Sequence, residues 1–71
     1  NPGAYTHYSY AIHDALKSIT VPKAEIHISD ITSREAFRKV SVTAPACDAQ
    51  IYGRGLQGYL DAIDMVLSKN C

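Results

Sequence analysis

Ala24-Glu25-Ile26-His27-Ile28-Ser29 is the stretch on which the reading of this chain turns. Ala24, Ile26 and Ile28 alternate with Glu25, His27 and Ser29. That period of two predicts a β-strand from Ala24 to Ser29 with one apolar face and one polar face. Strands in a parallel sheet covered by helices are normally apolar on both faces. Here Glu25, His27 and Ser29 form a row with neighbours ~6.6–7 Å apart. Burying three polar groups is costly unless they are paired. A carboxylate beside an imidazole fixes the ring's tautomer and favours its charged form. The row runs toward the carboxyl end of the strand, where open α/β sheets bind ligands. The plainer alternative is an edge strand with one wet face.

Outward from this strand the pattern changes to helical. Tyr8, Ala11, Ile12, Ala15, Leu16 and Ile19 recur at three and four and predict a helix N-capped by Thr6, with His13, Asp14 and Lys17 on its other face. A second helix follows from Tyr59, Leu60, Ile63, Val66 and Leu67, its outer face carrying Asp61, Asp64 and Lys69. Ala49 to Tyr52 is a second short strand ending at Gly53, and Ser33 to Phe37 predicts a short helix between the strands. Helix, strand, short helix, strand, helix is part of an α/β domain with a parallel sheet. Two strands are too few to complete such a sheet, and the chain opens on Asn1-Pro2-Gly3, a turn already in progress. Both features lead us to expect further strands upstream.

Composition excludes several classes. The chain has 71 residues, 46% of them hydrophobic and 20% charged, with seven basic and seven acidic side chains and a formal net charge of zero. Nothing here marks a surface for nucleic acid or for an anionic membrane. A chain this short buries only about 60% of its unfolded surface, so it usually needs staples or partner chains. Cys47 and Cys71 are too few for a disulfide framework and lack zinc-type spacing. A reducing, cytoplasmic compartment is the default expectation. There is no apolar run of ~18 residues, and nothing in these residues reads as a signal peptide.

Three further segments can carry chemistry. Asn1-Pro2-Gly3-Ala4-Tyr5-Thr6-His7 is a turn entering a helix. Gly3 there can adopt a backbone closed to other residues, and free amides with Asn1 and His7 supply donors. The plain reading is a capped turn with a surface histidine. Ser33-Arg34-Glu35-Ala36-Phe37-Arg38 would place Arg34 and Arg38 on one helical face, suited to a carboxylate or a diol, or simply to solvent. Gly53-Arg54-Gly55-Leu56-Gln57-Gly58 matches the dinucleotide pattern G-x-G-x-x-G. It lacks the acidic residue that the fingerprint needs about 20 positions later. It reads instead as a tight strand-to-helix turn, with Gly58 allowing close packing.

Taken in order, Asn-Pro-Gly-Ala-Tyr-Thr-His, Glu-Ile-His-Ile-Ser, Arg-Glu-Ala-Phe-Arg and Gly-x-Gly-x-x-Gly-Tyr resemble the signature of the type II 3-dehydroquinate dehydratases over essentially the whole chain. Asp30 departs from the usual Asn, and Thr32-Ser33 from the common His-Ala. The resemblance implies that residues 1–71 are the C-terminal half of a single flavodoxin-like α/β domain, a parallel sheet covered by helices on both faces. It implies trimers assembling into a dodecamer. The implied reaction is reversible anti-elimination of water from 3-dehydroquinate through an enolate, giving 3-dehydroshikimate on the shikimate route to aromatic amino acids. By motif match, His27 would be the general acid and Glu25 would hold and charge its ring. Ser29 and the backbone of Ile28 would bind the substrate carboxylate. Asn1 would sit near the leaving group, His7 and Arg38 would hold ring hydroxyls, and Asp14 would reach a neighbouring subunit's site. No metal, flavin or nicotinamide is implied. The family's base, a tyrosine, and its partner arginine belong to the N-terminal half; Tyr5, Tyr8, Tyr10, Tyr52 and Tyr59 do not match its position. Two other classes compete: a flavodoxin-like module binding a nucleotide or phosphate, resting on the glycine run, and a non-catalytic oligomerisation piece.

Overall fold

A computed structural model describes residues 1–33 and 35–69. Its elements are helix α1 (Tyr10–Lys17), strand β1 (Ala24–His27), strand β2 (Ala49–Tyr52) and helix α2 (Gln57–Lys69). Short 3₁₀ turns at Gly3–His7, Ile31–Ser33, Ala36–Lys39 and Ala44–Ala46 connect them. β1 and β2 are parallel, in the register Ala24↔Ala49, Glu25↔Gln50, Ile26↔Ile51, His27↔Tyr52. Because side chains alternate along a strand, Ile26 and Ile51 share one face while Glu25, Gln50, His27 and Tyr52 share the other.

The apolar face is covered by α2. The helix comes down so closely that a Cβ on Gly58 would lie 3.4 Å from the Cγ2 of both Ile26 and Ile51. This is the close packing the sequence leads us to expect at Gly58. Gly53 and Gly55, at φ 75° and 57°, form the turn that starts the helix. Their amides donate to the carbonyls of Ser29 (3.1 Å) and Ile28 (2.9 Å), tying the exit of β1 to the exit of β2. The opposite, polar face is covered by the turn at Gly3–His7 and by the connection through Ser41–Ala46, against which α1 packs.

The centre is unusually polar. Among the described residues, Ile26, Ile31, Ala46 and Ala62 are the buried apolar side chains, and Thr6, Glu25, His27 and Thr43 the buried polar ones. The accessible surface, 4534 Å², is close to the ~4,400 Å² expected for a folded monomer of this mass. Compactness is therefore ordinary; the unusual feature is which side chains the compactness buries.

Several local expectations are corrected. α1 begins at Tyr10, not after Thr6, and its N-cap is Ser9, whose hydroxyl accepts from the Ile12 amide at 3.2 Å. Thr6 is fully buried and committed to Glu25. His13 leaves the solvated face: its Nδ1–H donates to the carbonyl of Val42 at 2.6 Å. Of the first predicted stripe, Ile12 and Leu16 are half-buried while Tyr8, Ala11, Ala15 and Ile19 are exposed. In α2 the inward positions are Gly58 and Ala62, and Leu60, Ile63 and Leu67 of the predicted stripe are exposed together with Leu56. The helix predicted at Ser33–Phe37 is replaced by two 3₁₀ turns separated by Glu35, whose φ −58°, ψ 155° is extended and interrupts helical continuation. Arg34, Asn70 and Cys71 lie outside the described residues, so the pairing of Arg34 with Arg38 does too.

Candidate active site

Glu25 and His27 lie two apart on β1 and therefore on one face, 3% and 4% exposed. The His27 Nε2–H donates to Glu25 Oε2 at 2.8 Å. Such a pair needs more than itself when it is buried, because desolvating a charge is expensive unless its lone pairs are filled. They are filled here. Oε2 also accepts from Thr6 Oγ1 at 2.7 Å and from Gln50 Nε2 at 2.8 Å. Oε1 accepts from the hydroxyl of Thr43. Ser41 Oγ stands 2.7 Å from Thr6 Oγ1 and 3.4 Å from Glu25 Oε2.

The hydrogen bonds to Glu25 fix where the threonine hydrogens point, and the Thr6 and Thr43 hydroxyls, 2.8 Å apart, then have no hydrogen of their own between them. Each hydroxyl has one hydrogen to give. Thr43 gives its own to Oε1 and Thr6 gives its own to Oε2. Ser41 is then the donor to Thr6. Thr6, Thr43, His27 and Gln50 all present hydrogens to Glu25, which is the environment of an ionised, acceptor-only carboxylate. Burial by itself would push the Glu25 carboxyl up. The hydrogen bonds from Thr43, Thr6, His27 and Gln50 outweigh it and hold the carboxyl below its ordinary value.

His27 borders a cavity of about 270 Å³ at the carboxyl end of β1, where Asn1, His7, Ile28, Ser29 and Arg38 also line it. The ring's Nε2 is committed to Glu25, and Nδ1 has no partner among the described residues. The cavity thus meets an imidazole with one nitrogen anchored and one open. His7 is fixed by its own Nδ1–H, which donates to the Val40 carbonyl at 2.7 Å, and its ring stands edge-on to Phe37. Arg38 stacks over Phe37 at 4.9 Å and donates from Nε to Glu35 at 2.7 Å.

Of the residues singled out from sequence, His27, Asn1, His7, Ile28, Ser29 and Arg38 come together around the cavity, with Glu25 directly behind His27. Ser29 does so differently than expected. β1 ends at His27, and Ile28 and Ser29 lie in the bend beyond it, so Ser29 is not the third member of a strand row. Asn1 is also less free than a turn residue might be. Its Oδ1 accepts from the Gly3 amide at 3.0 Å and its Nδ2 donates to the Tyr59 hydroxyl at 2.9 Å. Gly3, at φ 59°, has the left-handed backbone the turn requires. Asp14 is exposed on α1 and does not line the cavity. The sequence reading missed Thr6, Ser41, Thr43 and Gln50 as partners of Glu25. The signal for one was available, since a buried carboxylate on β1 must find a donor and Gln50 is the long amide on the neighbouring strand.

A buried carboxylate–imidazole pair, opening on a cavity at the carboxyl end of a parallel strand, has the parts for acid–base chemistry on an α/β sheet. Comparison with known proteins places it in a family. The family described as Dehydroquinase class II matches residues 1–67. A 3-dehydroquinate dehydratase of Lachnoclostridium phytofermentans is 69% identical over 70 residues, which is 99% of this chain and 48% of that protein. Another, of Thermotoga petrophila, is 59% identical over 69 residues, 97% of this chain and 48% of that protein. The crystal structure of the type II dehydroquinase from Butyrivibrio crossotus matches with a TM-score of 0.92 at 60% identity, over 94% of this chain and 47% of that one. That of Propionibacterium acnes matches with a TM-score of 0.91 at 43% identity, over 96% of this chain and 50% of that one. The chain belongs to the class II dehydroquinase family and spans about half the length of the curated relatives it matches.

Proposed function

We propose that this chain supplies the acid half of a cofactor-free 3-dehydroquinate dehydratase, the C-terminal part of one flavodoxin-like domain. The observation that carries the reading is the anchored His27. With Nε2–H bonded to an ionised Glu25, only Nδ1 is left to face a ligand in the cavity. In the reaction, a base from the other half takes the proton α to the substrate's ketone and leaves an enolate. The enolate's electron pair then forms the new C=C bond and expels the hydroxyl at the β-carbon. Hydroxide leaves poorly, so the charged ring gives it the Nδ1 proton. Water departs, and His27 is left neutral with its bond to Glu25 intact.

Around that step, Ser29 and the Ile28 backbone take the substrate carboxylate, Asn1 orients the departing oxygen, and His7 and Arg38 hold ring hydroxyls. The bends that pin Ile28 and Ser29 to Gly55 and Gly53 support a fixed carboxylate site. Asp14, exposed on α1, acts at a neighbouring subunit in trimers that build a dodecamer. The setting is cytoplasmic. The likeness to 3-dehydroquinate dehydratases supports the substrate.

The test is His27→Ala in the complete enzyme, for example this chain fused behind the N-terminal half of the Lachnoclostridium phytofermentans relative. Dehydration should slow by roughly 10²–10⁴-fold, the usual worth of a positioned general acid. Solvent deuterium should still enter recovered 3-dehydroquinate at the α-carbon, because enolate formation does not use this ring. Equal loss of exchange and elimination in a folded variant would move His27 to the enolate-forming step and overturn the assignment.

A further inference from the structure

We propose that Thr43 and Gln50 are positioning residues for the acid, acting on His27 through Glu25; the proposal rests on the reading of His27 as general acid. Neither touches the cavity at which the reaction is placed. Each grips the carboxylate from a different part of the fold. Thr43 comes from the connection between the strands and bonds Oε1; Gln50 comes from β2 and bonds Oε2 at 2.8 Å. Two oxygens gripped from two directions cannot rotate about the carboxyl axis, so Oε2 stays aimed at His27 Nε2.

The donors also decide the proton inventory. A protonated Glu25 would accept less, so at least one of the hydrogen bonds from Thr6, Thr43, His27 and Gln50 would have to be given up or reversed. If it took up a proton, its grip on the ring's Nε2–H would weaken, and the ring could turn or change tautomer. The donors thereby keep Nδ1 as the open nitrogen. Thr43 is in turn held in place by its surroundings: Val42 N–H donates to the Thr6 carbonyl at 2.7 Å, and His13 Nδ1–H to the Val42 carbonyl at 2.6 Å. Gln50 is fixed by the parallel register that sets it opposite Glu25.

The ionisable groups around Glu25 are few. His27 shares its strand face. The Cys47 thiol lies near, and burial first, then the Glu25 charge, pushes it up and away from the acid range. His7 and Arg38 stand across the cavity beside His27. Loss of a donor should let burial raise Glu25, so its protonation should disable the acid at a higher pH than in the parent.

The experiment uses the complete enzyme with Thr43→Val, Gln50→Leu and Thr43→Ser. It reads the ratio of dehydration to α-proton exchange across pH, in which the base common to both processes cancels. The two donor-deleted variants should lower that ratio about tenfold near neutrality, the worth of one hydrogen bond to a charged group. The pH at which the ratio falls should move upward, KM should stay within about twofold, and Thr43→Ser should restore the parent profile. A role in folding alone would lower thermal stability and leave the ratio and its pH dependence unmoved, and that result overturns the proposal. His27→Ala separates the two readings. If it leaves the ratio unchanged, the acid assignment itself is wrong; if it lowers the ratio while Thr43→Val and Gln50→Leu do not, only the positioning role is lost.

Discussion

Gly58 offers a perturbation whose size can be worked from coordinates. It is helical, and among the glycines only Gly3, Gly53 and Gly55 have positive φ, so backbone freedom is not why a glycine stands there. The reason is distance. An alanine Cβ would meet two isoleucine methyls at 3.4 Å each, the inner edge of ordinary contact, and would gain a few tenths of a kcal/mol of helix propensity. Gly58→Ala should therefore be close to neutral. Valine differs in kind. Its Cγ atoms extend ~1.5 Å past Cβ, and in a helix its χ1 is almost fixed, so rotation cannot relieve the overlap. The helix must lift off the sheet by on the order of 1 Å, at about 1–3 kcal/mol for overpacking. In a complete enzyme about twice this chain's length, that is a fall of several degrees in melting temperature. The movement should reach the cavity, because Tyr59, the next residue, accepts the Asn1 Nδ2–H at 2.9 Å. Thermal unfolding and steady-state kinetics on the parent, Gly58→Ala and Gly58→Val check both parts. If Ala is as damaging as Val, or Val as stable as the parent, the close approach of α2 is not what requires glycine.

Acid stability should carry a Glu25 signature. Its folded pKa lies below the ordinary carboxyl value of 4.5, so it stabilises the fold above about pH 4.5 and that contribution is lost as pH falls through the lower, folded value. Melting temperature followed downward from about pH 6 should show that loss, and Glu25→Gln should flatten part of it. Asp30, held down by its bonds to Thr32, and Asp61, by Gln57 and Arg54, titrate in the same sense at the exposed surface and should remain in the variant. An unchanged slope in Glu25→Gln would show that the buried carboxylate is not what acid attacks. Asp14→Ala in the complete enzyme should weaken substrate binding or subunit assembly while the melting of the subunit fold stays within a degree or so, consistent with surface substitutions worth at most ~0.5 kcal/mol. A variant with parental oligomer size and kinetics would remove Asp14 from the site.

The strands and the parts of the cavity were legible in the sequence for different reasons. Period-two alternation located β1 to within two residues, because a half-buried strand has to alternate, and the short run before Gly53 located β2 fully. The last two residues of the predicted first strand left it because Ile28 and Ser29 bond the glycine turn rather than a neighbouring strand. The hydroxyls around Glu25 were not legible. Thr6 comes from a segment far from that of Ser41 and Thr43, and single hydroxyls in loops carry no period. Thr6 has the appearance of an N-cap, and so does Ser9; local sequence cannot say which of two hydroxyls tertiary structure will claim. The helical stripes gave the helices but not their contacts. α2 turns its smallest residues, Gly58 and Ala62, to the sheet and leaves Leu56, Leu60, Ile63 and Leu67 outward. Amphipathic spacing identifies an apolar face and says nothing about which part of it the sheet will meet.

The polar centre accounts for the chain's modest core and fits the role proposed for His27. A buried ion pair seldom stabilises a fold beyond what apolar side chains of the same volume would, since desolvation offsets most of the attraction. Packing Glu25, His27, Thr6 and Thr43 where larger domains put leucine and isoleucine is therefore hard to explain by stability alone. It is intelligible for catalysis, where an acid must be held in one orientation before the substrate arrives. Among the described residues no buried side-chain nitrogen or oxygen lacks a hydrogen bond, so the cluster is fully satisfied rather than strained. All the partners that orient Glu25 lie between Thr6 and Gln50. The buried Glu25–His27 pair is consequently organised within this chain.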